Sequence, residues 1–356
     1  MSGSALNPAA LTTLFRREFE MCRVDRGETM ILLTNLSTRR EYVAAAFEAA
    51  RVLGAFAYEI GLNSVPDQSR VAADALSQAE PIIAALKGCD IVCAFHAPNF
   101  TSWVREVRAA GTRVLSILDG PDELKLLLSP PGLKEAVLHA AARWEAARTV
   151  RLTSDQGTDL AWSRGEFKVK AQYGFADEDG RFDHWGAGHI TNYPNEGSAN
   201  GTVVIQPGDL WILPFARIVE SDITLEVRDG FIRSVKGGVD AKAFRYWLDR
   251  NKRSEDDLDP YAVSHLGFGL HPNAHRDYIF HTGNDLERLT AAARVFAGNF
   301  LFSTGPNTDM GGKRDTKGHI DMPMCDCTVA LDGDVVLREG RFVDPKMIVK
   351  PARVEP

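Results

Sequence analysis

Residues 29–62, TMILLTNLSTRREYVAAAFEAARVLGAFAYEIGL, decide the fold of the first half of the chain. "TMILLTN" is a short continuous apolar run of strand length. "TRREYVAAAFEAARVLG" has apolar residues at three-to-four spacing and ends on a glycine, and "AFAYEIGL" returns to a strand. Strands alternating with helices imply a parallel sheet with helices on its faces. The alternation continues. "QSRVAADALSQAEPIIAALKG" (68–88) reads as a helix, and "DIVCAF" (90–95) and "TRVLSIL" (112–118) as strands around a helix through "SWVREVRAA" (102–110). The expectation is a doubly wound α/β domain over residues 1–148. The turn after its first strand, "TNLSTRR", has neither G-x-G-x-x-G nor a Walker lysine, so the domain shows no nucleotide-binding signature.

From about Arg148 the grammar changes. "RTVRLTSDQGTDLAWSRG" (148–165), "DITLEVRDGFIRSVKGG" (222–238) and "DCTVALDGDVVLREGRFV" (326–343) read as β-hairpins, the second turning at Asp229-Gly230. "GTVVIQPGDLWILPF" (201–215) gives two more β runs, and "DAKAFRYWLDRN" (240–251) and "DLERLTAAARVFAG" (285–298) read as helices. This predicts a β-rich α+β domain over residues 149–356, which the histidines described below make the candidate catalytic, metal-binding domain.

Bulk properties narrow the class. A chain of 356 residues suggests two domains, and 44% hydrophobic with 25% charged residues is ordinary for a globular protein with a substantial core. A net charge of -7 without a basic stripe argues against nucleic acid. No apolar run reaches membrane-spanning length, and "MSGSALNPAALTTLFRREFEMC" lacks the basic start and apolar core of a signal peptide. Five scattered cysteines favour reduced thiols in a cytoplasm. C-x-x-x-C at 89–93 and C-x-C at 325–327 lack a matching half at zinc-finger spacing, so buried thiols are the better reading.

The chemistry lies with the histidines. Seven of the nine follow residue 180, and two of these sit in apolar, glycine-rich surroundings: His265 in "VSHLGFGL" and His319 in "GHIDMPM". If "HID" is a strand, His319 and Asp321 point to the same face. Two neutral nitrogens and one carboxylate suit a mononuclear non-haem Fe(II). The same set also suits a hydrolytic zinc, and H-x-D alone is equally a hydrogen-bonded structural pair. His271, His275 and His281 stand in polar loop sequence and read as solvent-facing.

"GFADEDGRFDHW", "NYPNEGSANGT", "SHLGFGLHP", "GNFLFSTGPNTDMGGKR" and "GHIDMP" together resemble the 2,5-dihydroxypyridine 5,6-dioxygenase family. These are ring-opening oxidoreductases of bacterial nicotinate and nicotine breakdown. The resemblance implies Fe(II) held by His265, His319 and Asp321. It implies a hydroxypyridine and O₂ as substrates, N-formylmaleamate as product and a homo-oligomer. That family in turn resembles the aminopeptidase T-type leucyl aminopeptidases, the alternative reading, with informative departures. His265 stands where the peptidases carry a glutamate, Leu301 where they carry a histidine, and Glu196 is displaced. Losing those donors removes what a second cation needs.

Around that centre, Glu178, His184 and, more weakly, His189 are candidate acid/base or substrate-orienting groups, with Ser303 a candidate hydrogen-bond partner. Trp185, Tyr193 and Phe268 are candidate walls of a flat pyridine pocket. "NTDMGGKRDTKG" (307–318) reads as a mobile gating loop with Lys313 or Arg314 meeting an anionic substrate form. "CAFHAPNF" (93–100), after a parallel strand, reads as a lid from the first domain, of this subunit or a neighbour.

Overall fold

The apolar run Thr29–Thr34 is buried on both faces, as a strand between neighbours and under helices has to be. It belongs to a five-stranded sheet ordered Phe56–Gly61, Thr29–Thr34, Ile91–Ala94, Arg113–Ser116, Phe182–His184, every adjacent pair parallel. The computed structural model describes residues 7–64, 76, 79–98, 100–277 and 292–352. Helix Arg40–Leu53 makes the first crossover and ends at Gly54, whose φ of 80° is the left-handed cap that glycine adopts without a Cβ penalty. Helix Pro8–Met21 starts on Asn7, whose side-chain oxygen accepts from the Ala10 amide at 2.8 Å. Its Phe15 packs against Tyr42, Phe95 and Trp185 in the core beneath the sheet. Of the helix predicted over 68–88, Glu80–Lys87 is helical; 68–75, 77 and 78 lie outside the described residues.

The second half is built on two antiparallel sheets, as its hairpin grammar predicts. The larger has eight strands, running from Phe231–Gly237 at one edge to Arg341–Phe342 at the other. It contains the hairpins Ile223–Arg228 with Phe231–Gly237 and Thr328–Leu331 with Asp334–Arg338. Both turn through Asp-Gly pairs at positive φ: 52° and 77° at Asp229-Gly230, 48° and 89° at Asp332-Gly333. A tight hairpin turn that matches strand twist requires this backbone. The smaller sheet is ordered Ile320–Met324, Phe300–Thr304, Leu266–Gly269, His189–Asn192, Lys170–Gln172. One core joins them, with Trp162, Val203 and Val329 from the larger sheet and Ile190, Phe300 and Met322 from the smaller. Of the helix predicted over 285–298, Ala292–Val295 is helical and 285–291 lie outside the described residues. Among the described residues no helix is long and apolar enough to cross a membrane.

The two cores do not part at 148/149. Helix Leu133–Ala146 buries Leu133, Val137 and Trp144 in the second core, while Ala176 and Trp185 return to the first and Phe182–His184 completes its sheet. The change of periodicity marks where hairpins begin; it does not say which core an amphipathic helix faces.

His271, expected in solvent, is fully buried. Its Nδ1 accepts from the Asn273 amide and its Nε2 donates to the Leu127 carbonyl, both at 3.3 Å, so a neutral ring links the two halves. His275 is exposed as expected, and His281 lies outside the described residues.

Burial holds the His271 imidazole down at about 4, so the folded chain keeps it neutral where an unfolded chain would protonate it near 6.5. Between those values the unfolded state binds the extra proton. This group's contribution to stability therefore falls as pH drops from about 6.5 toward 4, and is constant above that window. His271→Gln is expected to lower the melting temperature by several degrees near neutral pH and to flatten part of the decline on acidification. Thermal melts from about pH 8 down to about pH 5 check both; an unchanged acid slope would contradict the assignment.

Candidate metal centre

His265 and His319 each stand immediately before a strand of the smaller sheet, Leu266–Gly269 and Ile320–Met324, and Asp321 follows His319 by two positions. The strand Phe300–Thr304 runs between them with Ser303 opposite Asp321, so the two histidines and the carboxylate reach the same end of the sheet. Gly267 makes the close pairing possible, since a Cβ there would strike the Ile190 carbonyl on the neighbouring strand.

The donor atoms converge. His265 Nε2 lies 3.2 Å from His319 Nε2 and 3.5 Å from Asp321 Oδ1, and His319 Nε2 lies 3.2 Å from Asp321 Oδ1. Three ligands about 2.1 Å from one ion, at angles between right and tetrahedral, stand about 3.0–3.4 Å apart. Among the described residues this is the one group of three His, Cys, Asp or Glu side chains whose ligand atoms gather so closely.

The outward atoms of His319 and Asp321 are already partnered. His319 Nδ1 donates to the Thr304 carbonyl at 2.6 Å, the arrangement in which the neutral tautomer carries its lone pair on Nε2. Asp321 Oδ2 accepts from Arg294 Nη2 at 2.5 Å, whereas Asp321 Oδ1 is buried with no hydrogen-bond partner. Burial works to raise the Asp321 pKa, but Arg294, His319 and His265 outweigh it and hold the carboxylate well below its usual range. Burial pushes His265 down to about 3 against the opposing pull of Asp321, so its ring is neutral. A buried acceptor without a donor is costly, and a cation would satisfy all three lone pairs at once. The donor set therefore fits a metal ion, with two nitrogens and one oxygen suiting Fe(II) or Zn(II).

His184 and His189 border the same region. His184 ends the parallel strand Phe182–His184, at the carboxyl edge where such sheets present ligand-facing groups, and His189 opens the next strand of the smaller sheet. With Leu118, Asp119, Trp185 and Arg294 they line one cavity. Burial, reinforced by Arg294 and Lys170, lowers His184 to about 3; burial and Arg294 lower His189 well below its ordinary value. The His189 Nδ1 is buried without a partner.

The other candidates are placed differently. Ser303 Oγ donates to the His265 carbonyl at 2.6 Å and so fixes backbone. Tyr193 stands edge-on to the His265 ring at 5.9 Å. Trp185 borders the cavity but is anchored in the first core by Phe15 and by a 3.1 Å hydrogen bond to the Leu124 carbonyl. Phe268 is core rather than pocket wall, packed between Trp144 and Phe342. The Glu178 side chain is 59% exposed and pairs with Lys134 at 3.3 Å; the structure ties it there and not to the three donors.

The loop 307–318 is braced where a mobile gate was expected. Asn307 Nδ2 donates to Glu196 Oε1 at 2.6 Å, and the buried Arg314 donates to the Val263 carbonyl at 2.7 Å and pairs with Glu196 at 3.3 Å. Lys313 is exposed. The cations near the centre are Arg294 and Lys170, which no local motif advertises. Phe100, from the suspected lid segment, brings its ring to 5.5 Å from His319 of the same chain with a φ of 63°, the kind of strained backbone that clusters at functional sites.

A family model described as 2,5-dihydroxypyridine 5,6-dioxygenase matches residues 10–344. A 2,5-dihydroxypyridine 5,6-dioxygenase from Pseudomonas putida is 34% identical over 351 residues, covering 95% of this chain and 97% of its own. The solved structure of 2,5-dihydroxypyridine dioxygenase from Pseudomonas putida KT2440 matches with a TM-score of 0.91 at 33% identity, over 96% of this chain and 99% of that one. Wild-type AmpT from Thermus thermophilus matches with a TM-score of 0.61 at 14% identity, over 94% of this chain and 99% of that one, a likeness of fold alone.

Equilibrium dialysis against Fe(II) under nitrogen, followed by metal analysis, is expected to find about one ion per chain, since three donors make one site. His319→Ala and Asp321→Asn should lose it with the fold retained. Arg294→Met should weaken binding about 10–100-fold by freeing the outer carboxylate oxygen. Two ions per chain, or iron retained by His319→Ala, would contradict this ligand set.

Proposed function

Since this chain belongs to the 2,5-dihydroxypyridine 5,6-dioxygenase family, we propose that it opens the ring of 2,5-dihydroxypyridine with O₂, using Fe(II) held by His265, His319 and Asp321. Both oxygen atoms enter across C5–C6, and the product is N-formylmaleamate. The observation that carries this reading is the convergence of two imidazole nitrogens and one ionised carboxylate oxygen within 3.5 Å of one another. Bound there, ferrous iron supplies the electron transfer that lets O₂ react with an electron-rich ring.

The chain's own residues account for the choice of substrate. Two carboxylates at the centre are already matched by cations, Asp321 by Arg294 at 2.5 Å and Asp309 by Lys170 at 2.8 Å. The imidazoles of His184, His189 and His265 are kept neutral by burial. These groups thus sum to near neutrality, and a divalent ion's charge is left for the substrate to balance. This favours an anionic hydroxypyridinate over a neutral ligand. His189 carries a buried ring nitrogen without a partner and takes the substrate's hydroxyl proton, while His184 orients the ring from the same cavity. Phe100, beside His319, helps exclude water from the centre.

Protein reconstituted anaerobically with Fe(II) is expected to consume about one O₂ per 2,5-dihydroxypyridine, with loss of the substrate's near-ultraviolet absorbance, followed by oxygen electrode and spectrophotometer. His189→Ala should lower kcat by about 10²–10⁴-fold, whereas Glu178→Gln should leave it within a few-fold. No oxygen uptake with any hydroxypyridine, together with peptide cleavage by the zinc- or cobalt-loaded protein, would replace this reading with a peptidase.

A further inference from the structure

The two histidines of the centre are held in different ways. His319 has its ring fixed by the Nδ1 hydrogen bond to the Thr304 carbonyl. His265 has its backbone fixed by Ser303, yet its own Nδ1 is buried and has no hydrogen-bond partner. Metal-binding imidazoles are ordinarily oriented through the nitrogen that does not ligate. The orientation of His265 must therefore come from packing.

We infer that Tyr193, Asp309 and Lys170 form a positioning chain that holds the His265 imidazole in its metal-binding orientation. The Tyr193 ring meets the His265 ring edge-on, with centroids 5.9 Å apart and planes at 88°. On another side it is packed by Phe167, with centroids 5.8 Å apart, and its side chain is fully buried. Its hydroxyl donates to Asp309 Oδ1 at 2.7 Å, and Asp309 Oδ2 accepts from Lys170 Nζ at 2.8 Å. With both oxygens engaged, the carboxylate is held in place, and the tyrosine ring cannot tilt without breaking a partly buried, charge-assisted hydrogen bond. The members come from separate places: Lys170 from the outer strand of the smaller sheet, Tyr193 from just beyond the adjacent strand, and Asp309 from the turn Thr308–Met310. Asp309 is also the point at which the loop 307–318 touches this wall. The loop thus acts on the centre by bracing one ligand, and Tyr193, expected as a pocket wall, acts through His265.

This inference rests on the proposed metal site and not on the identity of the substrate, so the test uses Co(II) alone, whose visible bands report ligand geometry. Wild type is compared with Tyr193→Phe, Asp309→Asn, Lys170→Met, Lys170→Arg and the double variant Tyr193→Phe/Asp309→Asn. Each is examined metal-free by thermal melting and then titrated. Tyr193→Phe, Asp309→Asn and Lys170→Met are expected to weaken Co(II) binding about tenfold or more and to shift its spectrum. The double variant should bind no worse than the weaker single one, because the residues act as a unit. Lys170→Arg, which keeps the ion pair, should bind nearly as wild type. The inference is overturned if the singles bind within about twofold of wild type with unchanged spectra while only the metal-free melting temperature falls, since these residues are then not coupled to the metal. Additive losses in the double variant overturn it as well. Failure of wild type to bind Co(II) overturns both this chain and the metal reading. If wild type binds Co(II) but the iron-loaded protein spares every hydroxypyridine, the substrate assignment falls, and the variants' affinities still decide this one.

Discussion

The candidate centre rests on one electrostatic constraint: two imidazole nitrogens and a buried carboxylate oxygen face each other within 3.5 Å. The Thr304 carbonyl accepts from His319 Nδ1, and Arg294 takes the outer oxygen of Asp321. Burial keeps His265 neutral, so it is not a cation that offsets the carboxylate. Such an arrangement is unfavourable as a bare hydrophobic interior and favourable as a cradle for a positive ion. The strand register, the glycine at 267 and the serine at 303 are the geometric means of holding it.

The interleaving of the two cores has a purpose in this light. The segment from Phe182 to Asn192 leaves the first sheet at its carboxyl edge with His184 and joins the second sheet with His189, so both imidazoles lie at the seam. Trp185, packed on Phe15, pins the seam to the first core, and Ile190 pins it to the second. Helix Leu133–Ala146 and the His271–Leu127 hydrogen bond cross the same boundary. A centre placed between two cleanly separate domains would open and close with their motion; here shared strands and a shared helix tie them together.

Much of this was legible in the chain because it depends on local period. The strand–helix–strand grammar of residues 29–62, the Asp-Gly turns and the two-residue spacing of His319 and Asp321 all express short-range geometry. What the chain did not make legible concerns contacts between distant positions. Nothing around Arg294 hints that it will meet a carboxylate 27 residues on. His271 lies in polar sequence, and only the Leu127 carbonyl, 144 positions earlier, explains its burial. Glu178 sits in a run of acids whose exposure is an ordinary turn property, and a resemblance between segments does not show which way it points. Phe268 is an aromatic in an apolar run, where core is the commoner outcome, and core it is.

The likeness to AmpT, at 14% identity, is one of fold, and a shared fold does not by itself fix chemistry. The resemblance to the aminopeptidase T-type enzymes matches His265 to a glutamate and Leu301 to a histidine, and leaves Glu196 displaced from its counterpart. In this structure Leu301 is 1% exposed inside a strand, where it can only pack. Glu196 has both oxygens committed, one to Asn307 and one to Arg314, and so holds the loop that carries Asp309. Asp309 is in turn neutralised by Lys170. Both of these carboxylates are thereby assigned to bracing the protein, and a second cation would find no unmatched negative charge on either. The number of ions such a frame could hold depends on which acids remain unpaired.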